Sequence, residues 1–203
     1  MRIFFVASEG VPFSKTGGLA DVVGALPKAL AGLGHDVAVV LPRYRMTKPG
    51  TPLAHAGSLT LPLGCGFRFA AVQDGGRTGG VATYLVDCPE YFDRDNLYME
   101  NGLDYPDNAQ RFAAFSLAAI ELMKRFDAPP DIIHCHDWQS GLVPVYLRSL
   151  YSTDGFFRGS SVVFTIHNIA YQGLFHPDIL PQISVPASLF TMEGLEYTGR
   201  STS

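Results

Sequence analysis

Ile3, Phe4, Phe5 and Val6 form an unbroken apolar run inside Arg2–Ser8, the pattern of a strand buried on both faces of a parallel sheet. After a loop holding Lys15, Thr16, Gly17 and Gly18 the period changes. Leu19, Val22, Val23, Leu26, Leu30 and Leu33 recur at three- and four-residue intervals and predict a helix. Gly34 stands where the C-terminal cap of that helix belongs, while Pro27, read as lying on its other face, predicts a kink or a broken hydrogen-bond run. Asp36–Leu41 supplies a second strand. A strand, helix and parallel strand joined by a right-handed crossover belong to an open sheet that gathers ligands at the carboxyl ends of its strands.

From about Ser58 to Asp87 glycine-rich breaks separate Gly66–Val72 from Val81–Val86, which predicts a hairpin excursion with Gly75, Gly76, Gly79 and Gly80 in a mobile turn. Tyr91–Tyr105 is polar and aromatic and reads as a long loop. Asp107 is placed to cap the next helix, whose buried face is Phe112, Phe115, Ala119, Leu122 and Phe126, stopped by Pro129 and Pro130. A strand over Asp131–His136, a turn at Trp138–Gly141, a helix over Leu142–Tyr151 with Pro144 in its first turn, and a strand over Val162–Ile166 follow. Beyond Gly173 the periodicity fades, and no closing element is read there. The alternation predicts one α/β domain, an open and mostly parallel sheet with helices on both faces, left unfinished at its C-terminal end.

Composition narrows the chemistry. Hydrophobic residues are 47% and charged residues 17% of the 203, which excludes a disordered chain. A formal net charge of −4 provides no basic footprint for nucleic acid or an anionic membrane. The N-terminal apolar run is too short for a signal peptide or a spanning helix and is followed by the charged Glu9. Cys65, Cys88 and Cys135, an odd number without paired spacing, point to a reducing, cytoplasmic setting.

Three groups of residues carry candidate chemistry. Lys15-Thr16-Gly17-Gly18 lies between a strand and a helix N-terminus, where free backbone N–H groups favour an anion and the glycines let it approach. A tight βα turn with a solvated lysine, and Asp21 merely complementing the helix dipole, is the competing reading of the same residues. In His134-Cys135-His136-Asp137, His134 and His136 share a strand face, yet no further ligands stand at metal spacing, so no metal is expected. Asp137 and Trp138 at that strand's end suit a sugar, the carboxylate for hydroxyls and the indole for a ring face. His167 and Asn168 end another strand on the same rim.

Taken together, KTGGLADVVGALPKAL (Lys15 to Leu30), DYPDNAQRF (Asp104 to Phe112), HCHDWQSGLVPVYLR (His134 to Arg148) and FTIHNIAYQGLF (Phe164 to Phe175) resemble the bacterial glycogen synthase and plant starch synthase family, glycosyltransferase family 5. The resemblance implies a GT-B enzyme, with two Rossmann-like domains facing across a cleft, that extends an α-1,4-glucan from ADP-glucose with retention at the anomeric carbon. It implies no metal or cofactor. Carried onto this chain, Lys15, Gly17 and Gly18 approach the donor's phosphates and glucose, and Asp21 helps bind the nucleotide-sugar. Asp137 and Trp138 border the glucose and acceptor, and His167, with Asn168 beside it, lies next to the transferring unit.

The family pattern continues into a C-terminal domain, so residues 1–203 are expected to be a partial N-terminal catalytic domain, inactive alone. The tail Tyr197–Ser203 departs from the family pattern. Two other expectations stand beside this one: a non-catalytic glucan- or nucleotide-binding module, and a metallohydrolase built on His134 and His136.

Overall fold

The computed structural model describes residues 1–47, 53–197 and 200–202. Strand β1 (Arg2–Val6), helix α1 (Gly18–Gly32) and strand β2 (Asp36–Pro42) form the expected unit. β1 and β2 are parallel, with Phe4 opposite Ala38 and Phe5 opposite Val39. Because successive side chains point to opposite faces, this register divides the core in two. Ile3, Phe5, Val37, Val39 and Leu41 pack against Leu19 and Val23 of α1. Phe4, Val6, Ala38 and Val40 face a larger cluster on the other side. Pro27 is buried and α1 runs through it to Gly32, so the expected position on the other face is corrected: the ring is part of the packed stripe. Gly34, at φ +88°, ends the helix in the left-handed conformation, with its N–H on Ala31 O and that of His35 on Leu30 O.

The excursion has three strands where two were expected. β3 (Ala54–Leu63), β4 (Gly66–Thr78) and β5 (Val81–Asp87) form an antiparallel meander, and β5 rejoins the parallel set beside β2. Gly79 and Gly80 alone make the hairpin turn, both at positive φ, the geometry that matches strand twist in a two-residue loop. Gly75 and Gly76 instead sit in a register shift within β4, where Asp74 accepts the Gly76 N–H at 2.7 Å.

The expected long loop holds a single helical turn, α2 (Pro89–Phe92), and a small hairpin of β6 (Met99–Glu100) and β7 (Leu103–Asp104). Helix α3 (Asn108–Met123) follows and is buried along most of its length. Asp107 occupies the N-cap position, but its carboxylate is drawn to the Arg94 guanidinium, at 2.7 Å from Nη1, and makes no capping bond. Phe126 lies beyond the end of α3, packing edge-on against Phe4 at 5.0 Å.

Strand β8 (Ile132–His136), a 3-10 turn (Trp138–Ser140), α4 (Leu142–Arg148) and β9 (Ser161–Thr165) complete the sheet. Its strand order is β3-β4-β5-β2-β1-β8-β9, with β5, β2, β1, β8 and β9 mutually parallel. α1 covers one face, and α3 with α4 the other. Beyond Gly173 the described residues form further elements where none was expected. β10 (Leu174–Phe175), β11 (Glu196–Tyr197) and β12 (Arg200–Thr202) make a small antiparallel sheet. Leu180, Ile183 and Val185 enter the larger core, and Ser184 Oγ links Gly64 N to Pro62 O. Thr198, Gly199 and Ser203 of the tail lie outside the described residues.

Candidate active site

The chain leaves β1 for β2 on one side of the sheet and later enters β8 on the other, so β1 and β8 flank the point where strand order reverses. Open α/β sheets bind ligands in the crevice at such a point, outside the carboxyl ends of the strands. Val6 pairs with Cys135 and His136 with Thr165. The segments leaving β1, β8 and β9 are therefore neighbours on one rim, and they carry Lys15, Asp137 and His167.

At the end of β1 the backbone turns on Glu9, a residue whose role the sequence pattern did not disclose. Its side chain is buried and accepts the Thr16 N–H, the Thr16 hydroxyl at 2.9 Å and the Gly17 N–H at 3.2 Å. Tyr98 donates to Glu9 Oε1 at 3.0 Å and lies 2.7 Å from Ser8 Oγ, while the Tyr44 hydroxyl donates to Ser8 O at 2.9 Å. Burial next to this carboxylate and Tyr44 drives the Tyr98 phenol well above its ordinary pKa, so it remains a donor. The N–H of Gly17, the N-cap of α1, and that of Thr16 before it are thus taken by an internal carboxylate, which also complements the helix dipole. Gly17 is the N-cap of α1 and Gly18 its first residue, and a Cβ at either would meet nothing within 4 Å. Lys15 reaches forward to Asp21 with Nζ–Oδ distances of 2.6 and 2.8 Å, both side chains largely exposed.

Asp137 follows β8 with φ +56° and ψ 175°, a conformation that glycine alone adopts readily. Two bonds hold it there: its N–H donates to Thr165 O at 2.9 Å, and its Oδ1 accepts the His167 N–H at 2.7 Å. The ends of β8 and β9 are thereby locked together. Trp138 begins the 3-10 turn half-buried, edge-on to Phe112 at 5.0 Å and tilted against Phe175 at 5.6 Å. Asn168 turns its side-chain oxygen to the Ala170 N–H at 3.0 Å and shapes its own loop.

Below the rim the three imidazoles form a stack. His134 and His136 lie 4.1 Å apart between ring centroids, and His136 and His167 lie 5.2 Å apart. His134 Nε2 meets Thr165 Oγ1 at 2.8 Å, and His136 Nδ1 meets His167 Nε2 at 2.9 Å. Burial, and then the neighbouring rings His134 and His167, lower the pKa of His136 to about 3, and burial also lowers that of His134. Both are neutral at ordinary pH. No cluster of three or more His, Cys, Asp or Glu side chains is placed to hold a metal ion among the described residues. Cys135 is buried and its thiol is pushed up to about 12 by that burial, which makes it packing rather than a nucleophile. No described helix is long and apolar enough to cross a membrane.

Residues 2–202 match the family model described as the starch synthase catalytic domain. Among curated proteins the chain is similar to a glycogen synthase of Koribacter versatilis, 55% identical over 200 residues that make up 98% of this chain and 41% of the relative. A glycogen synthase of Geotalea uraniireducens is 45% identical over 209 residues, 98% of this chain and 42% of that protein. Among solved structures, the catalytic domain of starch synthase IV from Arabidopsis thaliana bound to ADP and acarbose superposes with a TM-score of 0.88 at 29% identity, covering 98% of this chain and 41% of that one. The chain therefore spans about two fifths of the length of these relatives.

Proposed function

The chain belongs to the starch synthase catalytic domain family, and from that premise we propose that it supplies one wall of the active-site cleft of a retaining ADP-glucose:α-1,4-glucan glucosyltransferase. The opposing wall is the C-terminal domain, within the remaining length that the relatives carry. The observation that supports this reading is the convergence on one rim of the Lys15 loop, Asp137 and His167, the last two joined by a hydrogen bond.

Glucosyl transfer from a nucleoside diphosphate separates charge: the departing diphosphate gains negative charge and the sugar becomes oxocarbenium-like. Lys15 is an exposed point charge for the diphosphate, held by Asp21, which also serves the nucleotide-sugar. Gly17 and Gly18 leave room for the donor against the backbone. Glu9 takes the Thr16 and Gly17 N–H groups that precede α1, so the phosphates are met by Lys15 and not by those two amides. Asp137 keeps one carboxylate oxygen on the His167 backbone and offers the other to the sugar, on the side where positive charge grows. His167 addresses the transferring glucosyl unit, Trp138 walls the acceptor side, and Asn168 borders the same glucan. No metal or cofactor takes part. The setting we propose is the cytoplasm.

The test is to join this chain to the C-terminal portion of the Koribacter versatilis relative and follow labelled glucose passing from ADP-glucose into glycogen. Transfer should occur, and Lys15→Ala and His167→Ala should each lower it by ~10²- to 10³-fold with unchanged melting temperature. Near-normal turnover in both well-folded variants would refute the assignment.

A further inference from the structure

His136 lies beneath His167 at the end of β8, fully buried, and takes no part in the proposed chemistry. Its backbone N–H donates to Ser140 Oγ at 2.6 Å, and that hydroxyl lies 2.8 Å from His136 O, so the residue is pinned on both sides. The ring is sandwiched between His134, Phe5 and His167, with centroid distances of 4.1, 5.4 and 5.2 Å. Its Nδ1 is 2.9 Å from His167 Nε2, and its Nε2 is buried with no hydrogen-bond partner among the described residues.

A neutral imidazole carries one N–H and one lone pair. The contact between the two rings therefore has two possible proton arrangements. If His167 Nε2–H donates to His136 Nδ1, the His136 proton must sit on Nε2, a buried N–H with nothing to receive it. If His136 Nδ1–H donates to His167 Nε2, only a lone pair is left at the buried His136 Nε2. Orphaned buried N–H groups are the rarer and costlier of the two. A ring nitrogen's partner fixes the tautomer of the imidazole it touches.

We infer that His136 is a positioning residue that sets the tautomer of His167: it donates Nδ1–H to His167 Nε2, and His167 carries its own proton on Nδ1. That nitrogen has no hydrogen-bond partner among the described residues. His167 thus presents a fixed N–H donor, rather than an acceptor, to an oxygen of the ligand at the rim. The last step rests on the glucosyl-transfer reading above, whereas the tautomer does not.

The chain labelled with 15N-histidine and examined at neutral pH by long-range proton–nitrogen correlation reads each ring nitrogen directly. His136 and His167 should both be protonated at Nδ1, by at least ~5-fold over the other form. His136→Phe keeps an aromatic ring but removes the donor, and should shift His167 toward Nε2–H, the form a free side chain favours. His136→Asn places an amide N–H near the position of Nδ1 and should hold His167 as Nδ1–H. A His167 proton on Nε2 in the unaltered chain would overturn the inference, as would an unchanged tautomer in folded His136→Phe; if the variants do not fold, the unaltered chain decides alone. In the protein joined to its C-terminal portion, kcat should fall ~10²-fold in His136→Phe and recover at least ~10-fold in His136→Asn. Equal kcat in both variants would leave His136 as packing only. If no glucosyl transfer occurs with the unaltered residues, the functional reading fails while the tautomer measurement stands.

Discussion

The Asp137 carboxylate accepts the backbone N–H of His167 at 2.7 Å, while the Asp137 backbone sits at φ +56° and ψ 175°. A strained residue and the hydrogen bond that retains it are thus one device, which fixes the ends of β8 and β9 at the rim. Strain in this region costs ~1–3 kcal/mol for a residue with a Cβ. Glycine removes it.

Asp137→Gly loses the bond to His167 but also the strain, whereas Asp137→Ala loses the bond and keeps the strain. The glycine variant should therefore be more stable than the alanine variant by ~1–2 kcal/mol in urea denaturation. Asp137→Asn retains a carbonyl acceptor in a residue tolerant of positive φ, and should lie nearest the unaltered chain. Equal stability of the glycine and alanine variants would show that the backbone there is unstrained.

Glu9 holds the loop that leads into α1 through the Thr16 and Gly17 amides. Glu9→Ala leaves those donors without their partner and Tyr98 with only Ser8 Oγ, and should cost ~1–3 kcal/mol. Hydrogen exchange at the Thr16 and Gly17 amides should accelerate more than at α1 as a whole. A variant as stable as the parent, with unchanged protection, would contradict this role.

The contrast between Glu9 and the β1–α1 unit shows what the sequence discloses. Ile3 to Val6 and Leu19 to Leu33 are legible because burial imposes a period on neighbouring residues, which a single chain records. The Glu9 network is not, because it depends on the loop folding back over seven or eight residues and on Tyr98 arriving from a distant segment. Likewise, His134 and His136 could be placed on one strand face from their spacing, but their stacking with His167 required the parallel register of β8 and β9. β3 escaped detection because its first half, Ala54, His55, Ala56, Gly57 and Ser58, alternates too weakly to mark a strand. Asp107 carried a correct cap position, yet a nearby guanidinium outcompeted the backbone for its carboxylate.

Burial, followed by the His134 and His167 rings, lowers the pKa of His136 from the ordinary 6.5 to about 3. Between these values the unfolded chain binds a proton that the folded chain refuses. The contribution to stability is complete above the unfolded value and is lost as pH falls toward the folded one, at up to ~1.4 kcal/mol per pH unit. His134 is shifted in the same direction and steepens the loss. Comparing urea midpoints at about pH 7.5 and about pH 5, His136→Phe should remove roughly 2 kcal/mol of the pH-dependent loss. Identical pH dependence in variant and parent would show that the His136 ring accepts a proton in the folded chain.

Gly17 and Gly18 separate the demands of folding from those of the ligand. Glycine persists in a fold where φ is positive or where another group approaches too closely for a Cβ. Neither condition applies at Gly17: its φ is −143°, extended backbone that any residue adopts, and a Cβ there would meet nothing within 4 Å. The space at Gly18 is equally open, and the position begins a helix, where alanine is intrinsically the better residue. Gly17→Ala and Gly18→Ala should therefore change the stability of the chain by no more than ~0.5 kcal/mol, Gly18→Ala in the stabilising direction. If the donor lies against this loop, the same methyl groups occupy its space, and a displacement as small as ~1 Å at a reacting centre costs ~10²-fold in rate. In the protein carrying both walls of the cleft, each alanine variant should show a raised KM for ADP-glucose and a lower kcat, with an unchanged melting temperature. Full activity in both variants would mean that no ligand approaches the loop and that the two glycines serve only the βα turn.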